Sequence, residues 1–395
     1  MIEVPHVIKY MGSKRSILEF VTSTIKENNL NNKRLYDIFG GSAVVSGALR
    51  NEMAVTCSDI QSYTEVLAKL YLQDYNWNTY EADVLDRIVE KAEVKVKKAF
   101  ASINNPNLFY ANAISYEEVK QVEVASQELL DSKLGYKDHL FAKYYSGTYW
   151  SFEQCVWIDA LSSVAREKEY KDSFLSPVIL ASVMFAMSYC SQSTGHYAQH
   201  RILTEQNNSD VLMYRQKSLL KLFKQKFISL KSLYSSETPA PFEHRYDIKD
   251  YLDILREAEP NSIIYADPPY QFVHYSRFYH ALETLIRYDY PTVKHKGRYR
   301  DDRHQSPFCI STKVVGAFGE MFRVISEKQS TLVLSYSDNG MISLEALMNL
   351  AKETFTQDYS VSIEELEYKH STMGRSGDKS RSVREVLLLV KPVTM

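Results

Sequence analysis

The sequence predicts an α/β protein with a Rossmann-like core of parallel strands and a long helical insertion. Residues 35–49 have the pattern of a strand, a glycine turn and a helix, and residues 262–270 that of a buried strand ending abruptly in Asp-Pro-Pro-Tyr. Residues 65–240, which separate these two stretches, are largely helical in pattern. Strands that alternate with helices favour a parallel sheet, whose strand ends carry the functional groups.

The chain length and these patterns predict how the domains are organised. A chain of 395 residues suits one large domain with an insertion, or two domains. We expect a catalytic core made of residues 1–64 and 241–395, interrupted by a helical insertion at 65–240. Inside the insertion, Ser151 and Gln154 have the spacing of a capping box, which predicts the start of a helix there.

The remaining elements follow from local hydrophobic patterns. Residues 17–25 predict an amphipathic helix, and residues 53–57 predict the strand after the glycine turn. Residues 331–337 predict a further parallel strand. Residues 359–368 and 383–390 alternate or run apolar, which predicts a terminal antiparallel pair.

Composition limits the classes of function. A net charge of -2 excludes a globally basic protein, so any nucleic-acid surface must be a local patch. The four cysteines lack a C-x-x-C pair, which argues against a zinc site and a disulfide framework and fits a reducing cytosol. The start of the chain lacks the pattern of a signal peptide. The most apolar segment, 178–187, has about half the length of a membrane span and indicates a buried helix. We therefore expect no metal, no membrane partner and a cytoplasmic location.

The tetrapeptide Asp267, Pro268, Pro269 and Tyr270 is the strongest candidate for a catalytic site. It suits methyl transfer to an exocyclic amine of a nucleobase, whose lone pair is delocalised into the ring and must be localised for attack. The Asp267 carboxylate and the Pro268 carbonyl offer two acceptors, and the prolines hold the backbone rigid. Tyr270 offers a face on which an extruded base stacks. The alternative is a strand-ending aspartate followed by a rigid turn.

The first sixty residues predict a cofactor half-site. Tyr10 and Lys14 bracket Gly12 and could face one small ligand, although a solvated lysine after a turn is the alternative. Asp59 follows Asp37 at nearly the spacing of the ribose-binding acid in dinucleotide folds. The turn between them lacks the G-x-G-x-x-G fingerprint of phosphate cofactors, so the pattern favours S-adenosylmethionine over NAD. A simple tight turn is the alternative. The candidate cofactor-binding residues of the strand and its turn are Asp37, Phe39, Gly40, Gly41 and Ser42.

Three motifs in this order resemble the D12 class of adenine-specific DNA methyltransferases. They are residues 9–14, Lys-Tyr-Met-Gly-Ser-Lys; residues 37–42, Asp-Ile-Phe-Gly-Gly-Ser; and residues 267–270, Asp-Pro-Pro-Tyr. The resemblance implies that Tyr10, Lys14, Asp59 and Asp267 contact S-adenosylmethionine, with Lys14 also close to the target base. The family often has a glycine where this chain has Ala43, which puts a detail of the amino acid pocket in doubt.

The resemblance also suggests roles for residues outside the three motifs. Asp247 lies where family members place an acidic residue beside the cofactor adenine; the alternative is an N-cap for a helix at 248–255. The polar loop 193–201 is expected close to the target-recognition surface, and the helical insertion is expected to recognise DNA sequence. An aromatic run at 144–157 predicts either stacking in DNA or packing between helices.

Basic side chains predict where DNA would bind. They lie in the polar loop, on a helix at 217–234, in an aromatic and basic arm at 272–303, and in a polar loop after residue 370. A solvated helix face and a flexible exposed loop are the alternatives for the helix and the arm. The candidate DNA-binding residues are Lys217, Lys221, Lys224, His196, Arg201, Arg277, Lys294, Lys296, Arg298, Arg300, Arg303 and Arg375.

These expectations combine into one function: methyl transfer from S-adenosylmethionine to N6 of a flipped adenine in double-stranded DNA. A cognate restriction endonuclease is a candidate partner. Two alternatives remain open. The acceptor could be cytosine N4 or an RNA adenine, which also present exocyclic amines, or the chain could be a DNA-binding relative without activity.

Overall fold

A computed structural model describes residues 4–29, 32–110, 115–192, 196–235, 238–269, 272, 274–337, 340–370 and 381–393. Tyr270, a predicted catalytic residue, and Arg375, a predicted DNA contact, lie outside these residues, as does part of the loop at 193–201. The predicted α/β class is confirmed, because a mostly parallel sheet forms the centre of the molecule.

Seven strands form the central sheet. Five of them, β1 to β4 and β7, run parallel to one another, whereas β9 pairs antiparallel with both β7 and the edge strand β8. The order across the sheet is β3-β2-β1-β4-β7-β9-β8, and β5 and β6 form a separate hairpin. The strands are β1 (Leu35–Asp37), β2 (Val55–Ser58), β3 (Arg245–Asp247), β4 (Ile263–Ala266), β5 (Val293–Lys294), β6 (Tyr299–Arg300), β7 (Thr331–Ser337), β8 (Tyr359–His370) and β9 (Arg381–Pro392).

Fifteen α-helices within the described residues surround the sheet or form the insertion. They are α1 (Leu18–Glu27), α2 (Val44–Ala48), α3 (Ser62–Leu72), α4 (Val84–Ile103), α5 (Tyr116–Gln127), α6 (Leu140–Tyr145), α7 (Phe152–Ala165), α8 (Leu175–Cys190), α9 (Asn208–Arg215), α10 (Leu219–Ser235), α11 (Tyr251–Glu257), α12 (Tyr275–Phe278), α13 (His280–Arg287), α14 (Val314–Glu327) and α15 (Leu344–Thr354). Short 3-10 helices occupy Lys14–Ile17, Trp77–Thr79, Pro106–Leu108, Glu205–Asn207 and Pro307–Cys309.

The two faces of the sheet bury separate cores because side chains alternate along each strand. Ile263 and Tyr265 of β4 belong to one core, while Ile264 and Ala266 belong to the other. The first core continues without a break through α1, α2 and α3 into the helices of the insertion. The second lies beneath α11, α14 and α15. The insertion therefore packs on the catalytic core rather than standing apart from it.

The predicted elements can be compared directly with the structure. The glycine turn, the strand that ends at Ala266, the capping box at Ser151 and the terminal antiparallel pair are all confirmed. The expected boundary after residue 64 falls inside α3, so a cut there would divide a helix. Rings of the aromatic run, including Tyr145, Tyr149 and Trp150, are buried against one another, which favours packing over DNA stacking.

Candidate active site

A cleft opens at the carboxyl ends of β1 and β4. The chain leaves β1 towards β2 on one side, while β4 lies on the other, so this is the point where the strand order reverses and where open α/β sheets bind ligands. The cleft encloses about 1010 Å³ of empty space, including its open mouth. Its lining combines the glycine turn, the Asp267 carboxylate and several aromatic rings.

The glycine turn after β1 forms one wall of the cleft. Asp59, which follows β2, accepts hydrogen bonds from the backbone N–H groups of Gly41 at 2.9 Å and Gln61 at 2.8 Å. Gly41 has a φ of +51°, and a Cβ there would lie 2.9 Å from the Tyr10 hydroxyl. Only glycine suits both the backbone and the space. Asp59 thus fixes the turn, and each of its oxygens keeps a lone pair for a ligand.

Asp37, the last residue of β1, faces the same cleft. The Ser46 hydroxyl donates to its Oδ2 at 2.6 Å, and its Oδ1 is buried without a partner among the residues that the structure describes. Burial raises the pKa of Asp37 to about 7, and the nearby Asp267 and Asp59 carboxylates add to the rise. A buried oxygen of this kind needs a donor from a ligand. The cationic amino acid part of S-adenosylmethionine would supply one.

An aromatic slot lies beside the turn. The ring of Phe39 stacks on Tyr251 with centroids 5.4 Å apart, and Phe308 meets it edge-on at 5.4 Å. Asp250 also lines the cleft here and caps α11 by accepting a hydrogen bond from the Leu252 N–H at 3.0 Å. This wall offers rings and one carboxylate to an adenine. The described walls of the cleft therefore fit S-adenosylmethionine.

Asp247 is the last residue of β3, and its role beside the cofactor adenine stays a prediction. Its side chain pairs with Lys249 at 3.1 Å, and the described lining of the cleft includes Asp250 and not Asp247. The alternative, an N-cap at Asp247, is wrong, because Asp250 caps the helix that follows. Sequence spacing alone could not separate the two aspartates.

The N-terminal motif forms the opposite wall. The Tyr10 ring stacks on Tyr279 at 4.6 Å and on Tyr275 at 5.8 Å. The Tyr279 hydroxyl accepts a hydrogen bond from the Met11 N–H at 2.6 Å. Sequence reasoning missed this role for α12 and α13, because the partners of Tyr10 lie far along the chain. The stack holds the Gly12 loop against the cleft.

Lys14 directly contacts Asp267, the first residue of the predicted catalytic tetrapeptide. Its Nζ lies 2.9 Å from Asp267 Oδ1 and 2.7 Å from Glu385 Oε1, and the lysine is only 6% exposed. Burial raises the pKa of Asp267 to about 6; Lys14 opposes this rise, and Glu385 adds to it. Pro268 and Pro269 also line the cleft. The carboxylate side chain is 20% exposed, so one face remains open to a substrate.

The predicted DNA-binding residues divide by exposure. Lys221, Arg201, Arg277, Lys294 and Lys296 are exposed, and His196, Lys217, Lys224, Arg298 and Arg303 are half-buried.

Arg300 contradicts its prediction, since it is 1% exposed and pairs with Asp289 at 2.6 Å and Asp302 at 2.9 Å. Arg298 donates to the Tyr144 carbonyl and pairs with Asp131 at 2.7 Å. Both arginines therefore stabilise the fold, because their guanidinium groups form ion pairs with aspartates of the same chain.

Several of the exposed or half-buried basic residues lie next to the cleft. Arg277 and Arg303 lie over the Tyr299 ring at 5.5 and 5.6 Å, and Arg277 belongs to the same short helix as the cleft residue Tyr275. The His196 ring stacks on Phe278 of that helix at 4.3 Å. The structure thus brings the polar loop and the basic arm together at one rim.

A second cavity, of about 560 Å³, separates the polar loop from the tip of the β5–β6 hairpin. Gln199 and His200 line it from the loop, and Lys296 lines it from the hairpin. The Tyr149 hydroxyl lies within hydrogen-bond distance of the carbonyls of Tyr197 and Gly297, and so connects the polar loop to the hairpin. Both segments were singled out from the sequence, but only the fold shows that they are neighbours.

The remaining basic patch lies near the N-terminal motif. Lys217 donates to the Tyr189 carbonyl at 3.1 Å, and Lys9 lies over the same tyrosine ring at 4.6 Å. Burial lowers the pKa of Lys9, and the neighbouring charge of Lys217 lowers it further. Lys221 and Lys224 extend the patch along α10.

Among the residues that the structure describes, no group of three or more histidine, cysteine, aspartate or glutamate side chains is arranged to hold a metal ion. Within the same residues, no helix combines the length and apolar character needed to cross a membrane.

The sheet topology, the glycine turn and the cleft define the class of protein as a Rossmann-like, S-adenosylmethionine-dependent methyltransferase. The chain belongs to the D12 class of N6 adenine-specific DNA methyltransferases, a family that matches residues 10–154 and 184–350. The predicted family and cofactor are thereby confirmed.

Named relatives are modification methylases. The chain is 23% identical over 390 residues to modification methylase LlaI of Lactococcus lactis subsp. lactis, covering 97% of this chain and 55% of the relative. It is 22% identical over 401 residues to modification methylase StsI of Streptococcus sanguinis, with 97% and 52% covered. It is 21% identical over 358 residues to the type II methyltransferase M.FokI of Planomicrobium okeanokoites, with 87% and 47% covered. The chain therefore spans about half the length of these relatives.

Proposed function

We propose that this chain transfers a methyl group from S-adenosylmethionine to N6 of an adenine flipped out of double-stranded DNA. One observation carries the proposal: the Asp267-Pro268 acceptors and the Gly40-Gly41 cofactor turn border the same cleft. A methyl donor on the turn and an amine beside the acceptors would meet within it. S-adenosylmethionine supplies an electrophilic methyl group attached to a sulfonium.

The protein groups would act on the amine rather than on the donor. The Asp267 carboxylate and the Pro268 carbonyl would accept the two N6 hydrogens, which turns the nitrogen lone pair out of the ring and towards the methyl group. A carboxylate with a pKa of about 6 is too weak a base to deprotonate the neutral amine first. The proton leaves after the N–C bond has formed, when the nitrogen is cationic, and Asp267 can receive it.

The rim of the cleft supports a DNA substrate. Extrusion of a base costs a few kcal/mol, which contacts to the flipped base and its flanking phosphates must offset. Arg277 is exposed, and Arg303 is half-buried. Basic groups placed around a base-sized cleft are suited to hold those phosphates. The helical insertion would then read sequence as the target-recognition part of the enzyme.

The relatives are named as modification methylases, which supports a role in restriction and modification. We propose a cognate restriction endonuclease as a partner that cleaves the same sequence when it is unmodified. The overall activity is that of a site-specific, adenine-specific DNA methyltransferase. Cytosine N4 and RNA adenine are the competing acceptors, and each gives a different modified base.

Transfer of labelled methyl groups to unmethylated genomic DNA tests the proposal. Wild type should leave N6-methyladenine in a fixed sequence, whereas Asp267→Ala should not. Asp253→Ala is a matched control, because Asp253 is an exposed aspartate on α11 that pairs with Arg256 at 3.3 Å. N4-methylcytosine, or label in RNA alone, would replace the proposed substrate. Cofactor binding without transfer to any nucleic acid would sink the proposal for this chain.

A further inference from the structure

Glu385 lies at the catalytic centre although no motif contains it. It is 3% exposed, and its Oε1 lies 2.7 Å from Lys14 Nζ. The Ser335 hydroxyl donates to the same oxygen at 2.8 Å. The family match ends at residue 350, so Glu385 belongs to a strand beyond it.

The terminal antiparallel pair explains this position. β9 inserts between β7 and β8, and Glu385 pairs in register with Ser337 at the end of β7. The parallel neighbour of β7 is β4, which ends directly before Asp267. The strand order therefore brings a carboxylate from the last strand beside the tetrapeptide, with Lys14 between them.

Charge balance indicates what this arrangement does. Lys14 alone would cancel the charge of Asp267 and weaken it as an acceptor for a nitrogen that becomes cationic. A second carboxylate on the same ammonium leaves the cluster with one net negative charge. Charge that is fixed in place before reaction stabilises a transition state more than charge that must reorganise. The positive charge in this reaction moves from sulfur to N6, as the N–C bond forms and the C–S bonding pair passes to sulfur.

We propose that Glu385 is a positioning residue for methyl transfer. It shares the Lys14 ammonium with Asp267, so that Lys14 does not neutralise Asp267 and the Asp267 carboxylate stays a strong acceptor oriented towards the amine. The proposal rests on the proposed function for its substrate, but the charge sharing itself can be measured without one.

The surroundings of Asp267 agree with this role. Lys14 lowers its pKa and Glu385 raises it. Burial and the nearby Asp267 charge raise the pKa of Tyr265 well above its usual value, so that its hydroxyl stays neutral. Among the described residues, the titratable or charged groups that face Asp267 or line the cleft are Lys14, Glu385, Asp37, Tyr265, Asp59, His274, Tyr10, Asp250, Tyr251, Tyr275 and His304.

Glu385→Gln tests the proposal because it removes the charge and keeps the shape. We expect kcat to fall about tenfold or more while the KM for S-adenosylmethionine changes less than about threefold. The acid limb of the pH profile should move to lower pH, because the negative charge of Glu385, which raises the pKa of Asp267, would be gone. Glu385→Asp, which keeps the charge, should recover part of the rate. In a protein that already carries Lys14→Met, the Glu385→Gln change should lower kcat little further, because Glu385 acts through Lys14.

Two measurements separate positioning from structural damage. Glu364→Gln is the matched control, a glutamate of the neighbouring β8 that accepts a hydrogen bond from the Thr24 hydroxyl at 2.6 Å; it should keep wild-type kinetics. Carbon-13 NMR of the Asp267 carboxyl without substrate should show its pKa falling in Glu385→Gln. This NMR measurement tests the charge sharing even if the wild-type protein methylates no adenine, and that outcome would refute only the proposed function. A lower rate with an unmoved acid limb and an unmoved Asp267 titration would overturn the positioning role.

Discussion

The Nζ of Lys14 lies 2.9 Å from Oδ1 of Asp267 and joins the N-terminal motif to the catalytic tetrapeptide. The sequence placed both residues at the cofactor, and the structure shows them in direct contact. The contact uses one carboxylate oxygen of Asp267. In the proposed reaction the other oxygen would accept the amine hydrogen, so Lys14 would select which part of the carboxylate faces the substrate.

Loss of the Lys14 charge should shift the pH profile upward. Lys14 holds down the pKa of Asp267, which burial raises to about 6. In Lys14→Met the pKa should rise further, so the ionised form needed as acceptor is lost at a higher pH. The acid limb of kcat/KM should therefore move to higher pH, opposite to its shift in Glu385→Gln. Lys26→Met, at an exposed position of α1, is the control. If the acid limb of Lys14→Met coincides with that of wild type, Lys14 does not lower the pKa of Asp267.

Removal of the Asp267 charge should affect chemistry rather than cofactor binding. In Asp267→Asn, one strong acceptor becomes an amide that offers a donor as well. We expect kcat to fall about 10²–10³-fold, the usual cost of losing one preorganised group in a transition state. The Kd for S-adenosylmethionine, measured by calorimetry, should change little. If Asp267→Asn instead weakens S-adenosylmethionine binding and leaves kcat at saturating cofactor unchanged, Asp267 is a cofactor-binding residue and not a catalytic one.

Cofactor affinity should weaken as pH falls below about 7. Burial raises the pKa of Asp37 to about 7 and that of Asp59 to about 6. The ionised carboxylates accept hydrogen bonds more strongly than the protonated acids do and attract the cationic cofactor, so protonation competes with binding below these values. The Kd should rise as pH falls from 8 to 6. In Asp37→Asn, affinity should be lower and the part of this slope near pH 7 should flatten. An equally steep slope in the variant would exclude Asp37 as its source.

Arg277 and Arg300 should respond to the same substitution in different ways. Arg300→Gln should lower the free energy of unfolding by about 2 kcal/mol, because the buried arginine pairs with partly exposed aspartates. Arg277→Gln should leave stability unchanged, weaken DNA binding and reduce the salt slope by about one. Thermal melts and salt titrations measure the two effects. Arg323→Gln, at an exposed arginine of α14, should change neither. An unchanged salt slope in Arg277→Gln would remove that residue from the interface.

Ala43 should accept glycine more readily than a branched residue. It has a φ of +54°, a conformation that costs an alanine about 1–2 kcal/mol and a glycine little. Ala43→Gly removes one buried methyl group, worth about 0.8 kcal/mol, so the free energy of unfolding should stay within about 1 kcal/mol of wild type. Ala43→Val should lose more, because β-branching disfavours this backbone. Chemical denaturation compares the three proteins. Equal stability of the glycine and valine variants would show that the backbone at position 43 is not strained.

The order of the elements and much of the cleft were predictable from sequence. The glycine turn, the strand before Asp267 and the terminal strand pair are encoded by neighbouring residues, through hydrophobic period and backbone freedom. The departure at Ala43 was visible too, and the structure shows why a glycine suits that place. Patterns of this kind are local, so a single sequence contains them.

Only the tertiary structure decided which charged groups meet. Arg277 and Arg300 look alike in the chain, yet one is exposed and the other is buried between two aspartates. Glu385 reaches Lys14 because β9 runs beside β7, a consequence of strand order across the whole sheet. The role of a charged side chain depends on its burial and its partner, and both are set by segments far away in sequence. The sequence by itself therefore determined the scaffold and its motifs, while the fold determined the electrostatics of the site.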